Sequence, residues 1–79
     1  MLKYEYMAND SDKKIIERTA NRLRKARKDR RLTQLEVARK ADISENYYAQ
    51  VERGEKNPST SVLVNIMRAI GVSADEILN

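Results

Sequence analysis

The sequence predicts an all-α domain of five short helices, on the basis of three observations. Apolar residues recur at three- and four-residue steps in several segments, which is the period of an amphipathic helix. Residues that cap helix N-termini, namely Ser, Thr, Asp and Asn, precede these segments. The 79 residues also include only two Gly and one Pro, with no Phe and no Trp, which disfavours a turn-rich β-sandwich.

The chain is expected to divide into an N-terminal arm at residues 1–11 and one helical domain with a single small core at residues 12–79. In the arm, Leu2, Tyr4 and Tyr6 alternate with charged residues, which is the two-residue period of a strand. Chain termini also tend to be disordered unless they pack on the domain. The arm is therefore expected to be either a short strand or disordered.

The first helix is predicted from Lys13 to Arg30. The Asn-Asp-Ser-Asp run at residues 9–12 precedes it and combines cap-forming residues with acidic charge at the positive end of the helix dipole. No Gly follows this helix, so its end is not sharply marked. The stripe predicted to face the core consists of Ile16, Ala20, Leu23 and Ala26 with Arg27.

The second helix starts at Thr33, because Thr33 and Glu36 have the spacing of a capping box. Asp42 ends it, since Asp tolerates the left-handed backbone conformation better than most residues. The side chains assigned to its inner face are Leu35, Ala38 and Ala41.

The third helix is capped by Ser44, and its side chains Tyr48 and Val51 are expected to face the core. Arg53 and Gly54 end it, with the Gly just past the helix, where a left-handed residue is usual. The second and third helices are thus about eight and about ten residues long, and a turn of three or four residues joins them.

A loop containing Pro58 and several Ser and Thr caps leads into the fourth helix, which Gly71 ends. A second capping box, Ser73 with Glu76, opens a short fifth helix. The apolar stripe of the fourth helix consists of Leu63, Ile66, Met67 and Ile70, and the fifth helix contributes Ile77 and Leu78.

Composition argues against several classes of function. The chain has no His and no Cys, so the most common general base, the most common metal ligands and all thiol chemistry are absent. We therefore expect no enzyme activity, no metal, no cofactor and no small-molecule ligand. No apolar run approaches the roughly 20 residues of a membrane span, and no signal peptide is evident. A cytoplasmic protein with no membrane partner is the expectation.

The net charge of +4 is unevenly distributed along the chain. Residues 13–31 hold ten Lys and Arg residues against two acidic ones, and the segments on either side are both net negative. This concentration is either a solvated basic helix or a surface that faces a polyanion.

The second and third helices, with the tight turn between them, have the proportions of a helix-turn-helix. In that motif the second helix of the pair lies in the DNA major groove, and the first braces across the backbone. The predicted function is therefore binding of double-stranded DNA with sequence specificity. In that arrangement the third helix of the chain is the reading helix, the one that contacts base edges, and the first helix lies behind it. Only some cations of the first helix can then touch phosphates, and most would add long-range attraction to DNA. These cations are Arg22, Arg24, Lys25, Lys28, Arg30 and Arg31.

Four polar residues lie on the side of the third helix opposite its core residues, and these are Glu45, Asn46, Tyr47 and Gln50. Asn and Gln can each bind adenine through two hydrogen bonds, and Glu can accept one from the amino group of cytosine. Glu45 could instead orient a neighbouring arginine, and Tyr47 can offer its hydroxyl to phosphate or its ring edge to a thymine methyl. We assign the four residues to base readout, with an ordinary solvated face as the alternative.

Several short motifs between about Leu23 and Leu78 resemble one known family. They are Leu32-Thr33-Gln34, Glu36, Ala38, Ile43-Ser44, Val51-Glu52-Arg53-Gly54, Asn57-Pro58-Ser59 and Ile70-Gly71-Val72-Ser73. The pattern resembles the phage repressor and Cro-type helix-turn-helix regulators, a lambda-repressor-like, XRE-like family. The resemblance implies a five-helix, dimeric regulator of transcription from a bacterium or phage, associated with the nucleoid when bound. The small size, Tyr47 and the E-R-G ending are also similar to controller proteins of restriction–modification systems.

Two positions depart from the family pattern, which usually has Gly in both places. Asp42 stands in the turn, and Asp can adopt the left-handed conformation at modest cost. Arg31 stands at the end of the first helix, where a left-handed Arg costs on the order of 1 kcal/mol or more. The first helix is therefore expected to end differently here.

The resemblance also implies roles for individual residues. Phosphate contacts are assigned to Thr33, Gln34, Ser44, Arg53, Lys56 and Asn57. Arg27 and Glu52 fall on the inward sides of their helices, and in the family a buried pair at these positions joins helices one and three. This pair is read as structural, and removal of one partner should cost about 3–5 kcal/mol.

A homodimer is likewise implied by the resemblance, through the fifth helix and the loop before it. The residues assigned to the dimer interface are Val72, Ile77 and Leu78. Two copies would place their reading helices about 34 Å apart, which matches the two halves of a pseudo-palindromic operator. A monomer whose last helix only closes the core is the alternative.

Two other functions remain open at this level. The chain could be a protein-interaction module, such as an antitoxin-like or accessory subunit whose main contact is another protein. An enzyme such as a nuclease is disfavoured, because no His, no Cys and no clustered acidic metal site is present in the sequence.

Overall fold

The computed structural model describes residues 10–79, and this segment contains five helices, as predicted. They are α1 (Asp10–Asp29), α2 (Gln34–Ala41), α3 (Glu45–Glu52), α4 (Thr60–Ile70) and α5 (Ala74–Leu78). α1 begins two residues before the expected domain boundary at residue 12, while the rest of the predicted arm, residues 1–9, lies outside the described residues. α3 has eight residues and not about ten, because Arg53 and Gly54 form the turn that ends it.

The predicted caps of α2 to α5 are confirmed at each N-terminus. Thr33 and Glu36 form a reciprocal capping box: the Glu36 amide donates to Thr33 Oγ1 at 3.0 Å, and the Thr33 amide donates to the Glu36 carboxylate at 2.8 Å. Ser73 and Glu76 make the same arrangement before α5. Single hydroxyl caps start α3 and α4. Each cap satisfies an amide that has no partner within its own helix.

Four left-handed residues end the first four helices, and only two of them are Gly. Gly54 and Gly71 adopt φ of 74° and 83°, and Arg31 and Asp42 adopt φ of 57° and 60°. The prediction for Asp42 is confirmed. The expectation that α1 ends differently at Arg31 is wrong. The amides of Arg31 and Leu32 donate to the carbonyls of Lys28 and Arg27, so an ordinary left-handed helix end forms without a Gly.

The core lies between the five helices and is built from small and medium-sized apolar side chains. Its largest fully buried members are Tyr48, Leu23, Ile66, Ile77 and Val37. The assignment of Leu35 to the inner face of α2 is wrong, since Leu35 is 37% exposed and Val37 is completely buried in its place. At about 100° per residue, Val37, and not Leu35, lies on the same side of α2 as Ala38 and Ala41.

α2 packs mainly against α4 and α3, and α1 packs against α3, α5 and α4. α2 and α3 thus each bury one side against the other helices, and the opposite side of each stays on the surface. No helix within residues 10–79 is long and apolar enough to cross a membrane.

Two arginines of α1 hold the C-terminal part of the domain. Arg22 donates from Nη1 to the carbonyls of Ile77, at 3.1 Å, and Asn79. Arg30 donates from Nη2 to the Gly71 carbonyl at 3.1 Å. Both residues were assigned to the basic surface of the first helix, but their guanidinium groups bind backbone carbonyls of α5 and of the turn before it. They therefore contribute to the fold.

Candidate nucleic-acid interface

The helix-turn-helix consists of α2, a three-residue turn and α3. Asp42 turns the chain in the left-handed conformation, and the Ile43 amide donates back to the Ala38 carbonyl at 3.0 Å. Ser44 then starts α3 by accepting a hydrogen bond from the Tyr47 amide at 3.0 Å. Ile43 itself packs against the core. The turn is thus held from both ends, which fixes the direction in which α3 leaves it.

The inner side of α3 is fixed by burial. Tyr48 is completely buried, Val51 is 2% exposed and Glu52 is 3% exposed, which confirms the inward assignment of all three. Burial and the neighbouring Glu52 carboxylate raise the pKa of the Tyr48 hydroxyl, so Tyr48 keeps its proton. Within residues 10–79 its oxygen is the one buried side-chain polar atom without a hydrogen bond of ordinary geometry. Tyr48 is a core residue and takes no part in the outer surface.

The predicted pair between Arg27 and Glu52 is confirmed. Arg27 Nε lies 2.6 Å from Glu52 Oε2, and Arg27 Nη2 lies 3.0 Å from Oε1. The third donor of Arg27, Nη1, reaches the Leu32 carbonyl at 2.8 Å. The guanidinium therefore links α1 to α3 and also to the segment that leads into α2.

Gln34 joins this pair, which the sequence did not predict. Its Nε2 donates to Glu52 Oε1 at 3.0 Å, so the same carboxylate oxygen accepts from both Arg27 and Gln34. Burial raises the pKa of Glu52, but hydrogen bonding, chiefly from Arg27, outweighs it and holds that pKa below its usual range. Hydrogen bonding to Glu52 likewise raises the pKa of Arg27, so both groups are ionised.

The outer side of α3 carries the residues assigned to base readout. Glu45 and Asn46 are exposed, while Tyr47 and Gln50 are half-buried. The ring of Tyr47 packs against the edge of the core, so its contribution outward is confined to its exposed edge and hydroxyl. The side chains of Glu45, Asn46 and Gln50 make no hydrogen bond or ion pair with another residue of the described segment, 10–79. Their polar groups are available to an outside partner.

The residues assigned to phosphate contacts cluster at helix starts and in one loop. Thr33 and Ser44 already use their side-chain oxygens as caps, and Gln34 has one amide hydrogen on Glu52 and a second one free. Lys56 and Asn57 are exposed in the loop after α3. Arg53 is exposed as well, but its guanidinium is paired with Glu55. The N-termini of α2 and α3 add backbone amides and positive dipole ends to this surface.

The three residues assigned to the dimer interface do not share one environment. Val72 and Ile77 are 7% and 1% exposed within the single chain, so their side chains offer almost no surface to a second copy. Leu78 is 46% exposed and lines the same surface cavity as the half-exposed Ile15 of α1. Of the predicted set, only Leu78 presents an apolar surface.

Comparison with known proteins shows to which family the chain is similar. Residues 23–77 match the family model HTH_3, described as helix-turn-helix. The chain is 40% identical over 57 residues to the immunity repressor protein of Bacillus phage phi105, a match that covers 72% of this chain and 40% of the repressor. The chain thus spans less than half the length of that relative.

Two solved structures share the fold. The clp gene regulator ClgR from Corynebacterium glutamicum superposes with a TM-score of 0.78 at 31% identity, over 81% of this chain and 82% of ClgR. The restriction–modification controller protein C.Esp1396I, solved as a tetramer with its natural 35 base-pair operator, gives a TM-score of 0.72 at 25% identity, over 82% and 96% of the two chains. The chain therefore belongs to the helix-turn-helix family, in the phage repressor and Cro-type group that its sequence resembles.

Proposed function

We propose that the chain binds double-stranded DNA with sequence specificity and regulates transcription, with α3 lying in the major groove. The observation that carries this proposal is the division of α3 into two faces. One face is buried and tied to α1 and α2 through Arg27, Glu52 and Gln34. The other leaves Glu45 and Asn46 exposed in the first turn of α3.

The chemistry of the outer face fits base edges. Asn46 and Gln50 each carry one donor and one acceptor group, the pair that adenine requires in the major groove. Glu45 accepts only, so it would favour the amino group of cytosine and repel bases that present acceptors. The phosphate contacts proposed for Gln34, Lys56 and the helix starts would fix the register of α3 without reading sequence.

We propose further that two copies bind a pseudo-palindromic operator. The support is the controller protein C.Esp1396I, which shares this fold and was solved as a tetramer on operator DNA. On this chain, the exposed side chains of Leu78 and Ile15 line one surface cavity that a second copy could cover. We expect Leu78→Glu to shift sedimentation toward the monomer and to weaken operator binding, with the helix content unchanged.

Selection of bound duplexes from a random-sequence library tests the proposal. The expected result is enrichment of one motif with two inverted half-sites, whose centres lie about 10 base pairs apart. A library that is neither retained nor enriched by the folded protein would overturn DNA binding. An interaction module such as an antitoxin-like subunit would then be the better account, and capture of a protein partner without a DNA footprint would support it.

A further inference from the structure

Arg53 lies on the same outward face of α3 as the residues assigned to base readout. It follows Asn46 by seven residues and Gln50 by three, which are positions of one helical face. Its backbone is still right-handed, with φ of −87° and ψ of 0°, so the face continues through it. The side chain is 53% exposed. Arg53 therefore extends the proposed reading surface by one cation at its C-terminal end.

The guanidinium of Arg53 is already occupied by a carboxylate. Arg53 Nε lies 2.9 Å from Glu55 Oε2, and Arg53 Nη2 lies 3.0 Å from Glu55 Oε1. Two parallel N–H···O hydrogen bonds from a planar fork are the geometry with which Arg also binds phosphate. Glu55 thus covers the edge of Arg53 that a phosphate would take, and it places a negative charge where DNA would approach.

We propose that Glu55 limits the sequence-independent DNA affinity of this chain by holding Arg53 in an intramolecular ion pair. DNA must either displace Glu55 from Arg53 or accept a carboxylate beside its own phosphates. In both cases, part of the attraction between Arg53 and the backbone is lost. Discrimination between DNA sequences then depends more heavily on the base contacts of α3. This inference rests on the proposed DNA binding and assigns a role to a residue outside the set of direct contacts.

A second exposed pair provides a matched control. Lys25 Nζ lies 2.9 Å from Asp29 Oδ2 on α1, and both side chains are more than half exposed. Asp29→Asn removes one carboxylate from an exposed pair, as Glu55→Gln does, and changes the net charge by the same amount. Asp29 lies on α1 and not on the loop after α3. A general charge effect would therefore act on both variants alike, and a local effect would act only on Glu55→Gln.

The experiment measures binding to a mixed-sequence 25 base-pair duplex by fluorescence anisotropy, over a range of salt concentrations. Glu55→Gln should bind about two- to fivefold more tightly than the unmodified chain. The slope of log K against log salt should steepen by about 0.9, the value expected for one further phosphate contact. Asp29→Asn should change the affinity less. In a chain that also carries Arg53→Ala, Glu55→Gln should give a smaller gain and leave the salt slope unchanged.

Three results would overturn the inference: a gain no larger than that of Asp29→Asn, a loss of affinity, or a gain of undiminished size with Arg53→Ala. Failure of the unmodified, folded chain to bind any duplex would instead overturn the proposed function, and the inference with it. Thermal unfolding followed by circular dichroism confirms that each variant is folded, which is expected because all the changed side chains are exposed.

Discussion

Two arginine–glutamate pairs meet at the end of α3, and they differ in almost every physical respect. Glu52 points inward and pairs with Arg27, which is 25 residues away on α1. The next residue, Arg53, points outward and pairs with Glu55, two residues away. The side chains of the first pair are 11% and 1% exposed, and those of the second are 53% and 52% exposed.

The difference shows how one kind of ion pair serves two purposes. Breaking the buried pair leaves a charge in the core without a partner, so the pair fixes α3 against α1. The exposed pair is screened by water and contributes little to folding, so its arginine can exchange the carboxylate for another anion. The first pair positions the reading helix, and the second, on our proposal, adjusts how strongly that helix holds DNA.

Truncation of the buried pair should have the largest effect on stability. We expect Glu52→Ala or Arg27→Ala to lower the free energy of unfolding by about 3–5 kcal/mol. That is a large part of the roughly 5–15 kcal/mol typical of a small domain. Urea denaturation followed by circular dichroism measures the change. The double variant Arg27→Met, Glu52→Leu should lose less than the two single changes together, because it leaves no unpaired charge.

Removal of the Gln34 amide should have a smaller effect on folding. Gln34→Ala takes one hydrogen bond away from the ionised Glu52, and we expect a loss of about 1–2 kcal/mol in the free energy of unfolding. Leu35→Ala, at the exposed neighbouring position on α2, provides the comparison. If Gln34→Ala were no more destabilising than Leu35→Ala, the hydrogen bond to Glu52 would contribute nothing to the stability of the domain.

The pH dependence of stability should separate the two pairs further. The pKa of Glu52 is lowered in the folded chain, so its contribution is fully present above the ordinary Glu pKa of about 4.3 and is lost as the pH falls through the lower, folded value. Urea denaturation between about pH 2.5 and 6 should therefore show a shallower loss for the Arg27→Met, Glu52→Leu variant than for the unmodified chain.

The exposed pair should have the smallest effect on folding. Arg53 lowers the pKa of Glu55 by hydrogen bonding, but solvent screens both groups. Thermal midpoints of Arg53→Ala and Glu55→Gln should equal that of the unmodified chain, and the acid sensitivity of Glu55→Gln should also be unchanged. A marked loss of stability in either variant would show that the Arg53–Glu55 pair is structural too. The two pairs would then not differ in their roles.

Local signals in the sequence were enough to predict the helices and the turn. The caps of α2 to α5, the capping boxes and the end of α2 at Asp42 depend on residues within a few positions of each other, and these were confirmed. The inner face of α2 was misassigned, because Leu35 was chosen for its apolar side chain although the helix period places Val37 with Ala38 and Ala41.

Contacts between distant segments could not be predicted in the same way. The bonds from Arg22 and Arg30 to backbone carbonyls span 55 and 41 residues, and they depend on where α5 packs. The sequence predicted a phosphate contact for Gln34 and an ion pair for Glu52, but nothing in their spacing of 18 residues indicates a hydrogen bond between them. Val72 and Ile77 are buried within the single chain because of the way the helices pack. Their apolar character alone could not distinguish this burial from a contact with a second copy.

On our proposal, the outer face of α3 reads bases while the start of α2 holds the DNA backbone. Selection of bound duplexes with the Asn46→Ala, Gln50→Ala and Gln34→Ala variants tests it most directly. We predict that each α3 variant loses preference at one or two base positions, at a cost of about 1–3 kcal/mol, and that Gln34→Ala weakens all sequences alike. A selected profile unchanged by both α3 variants would contradict the account.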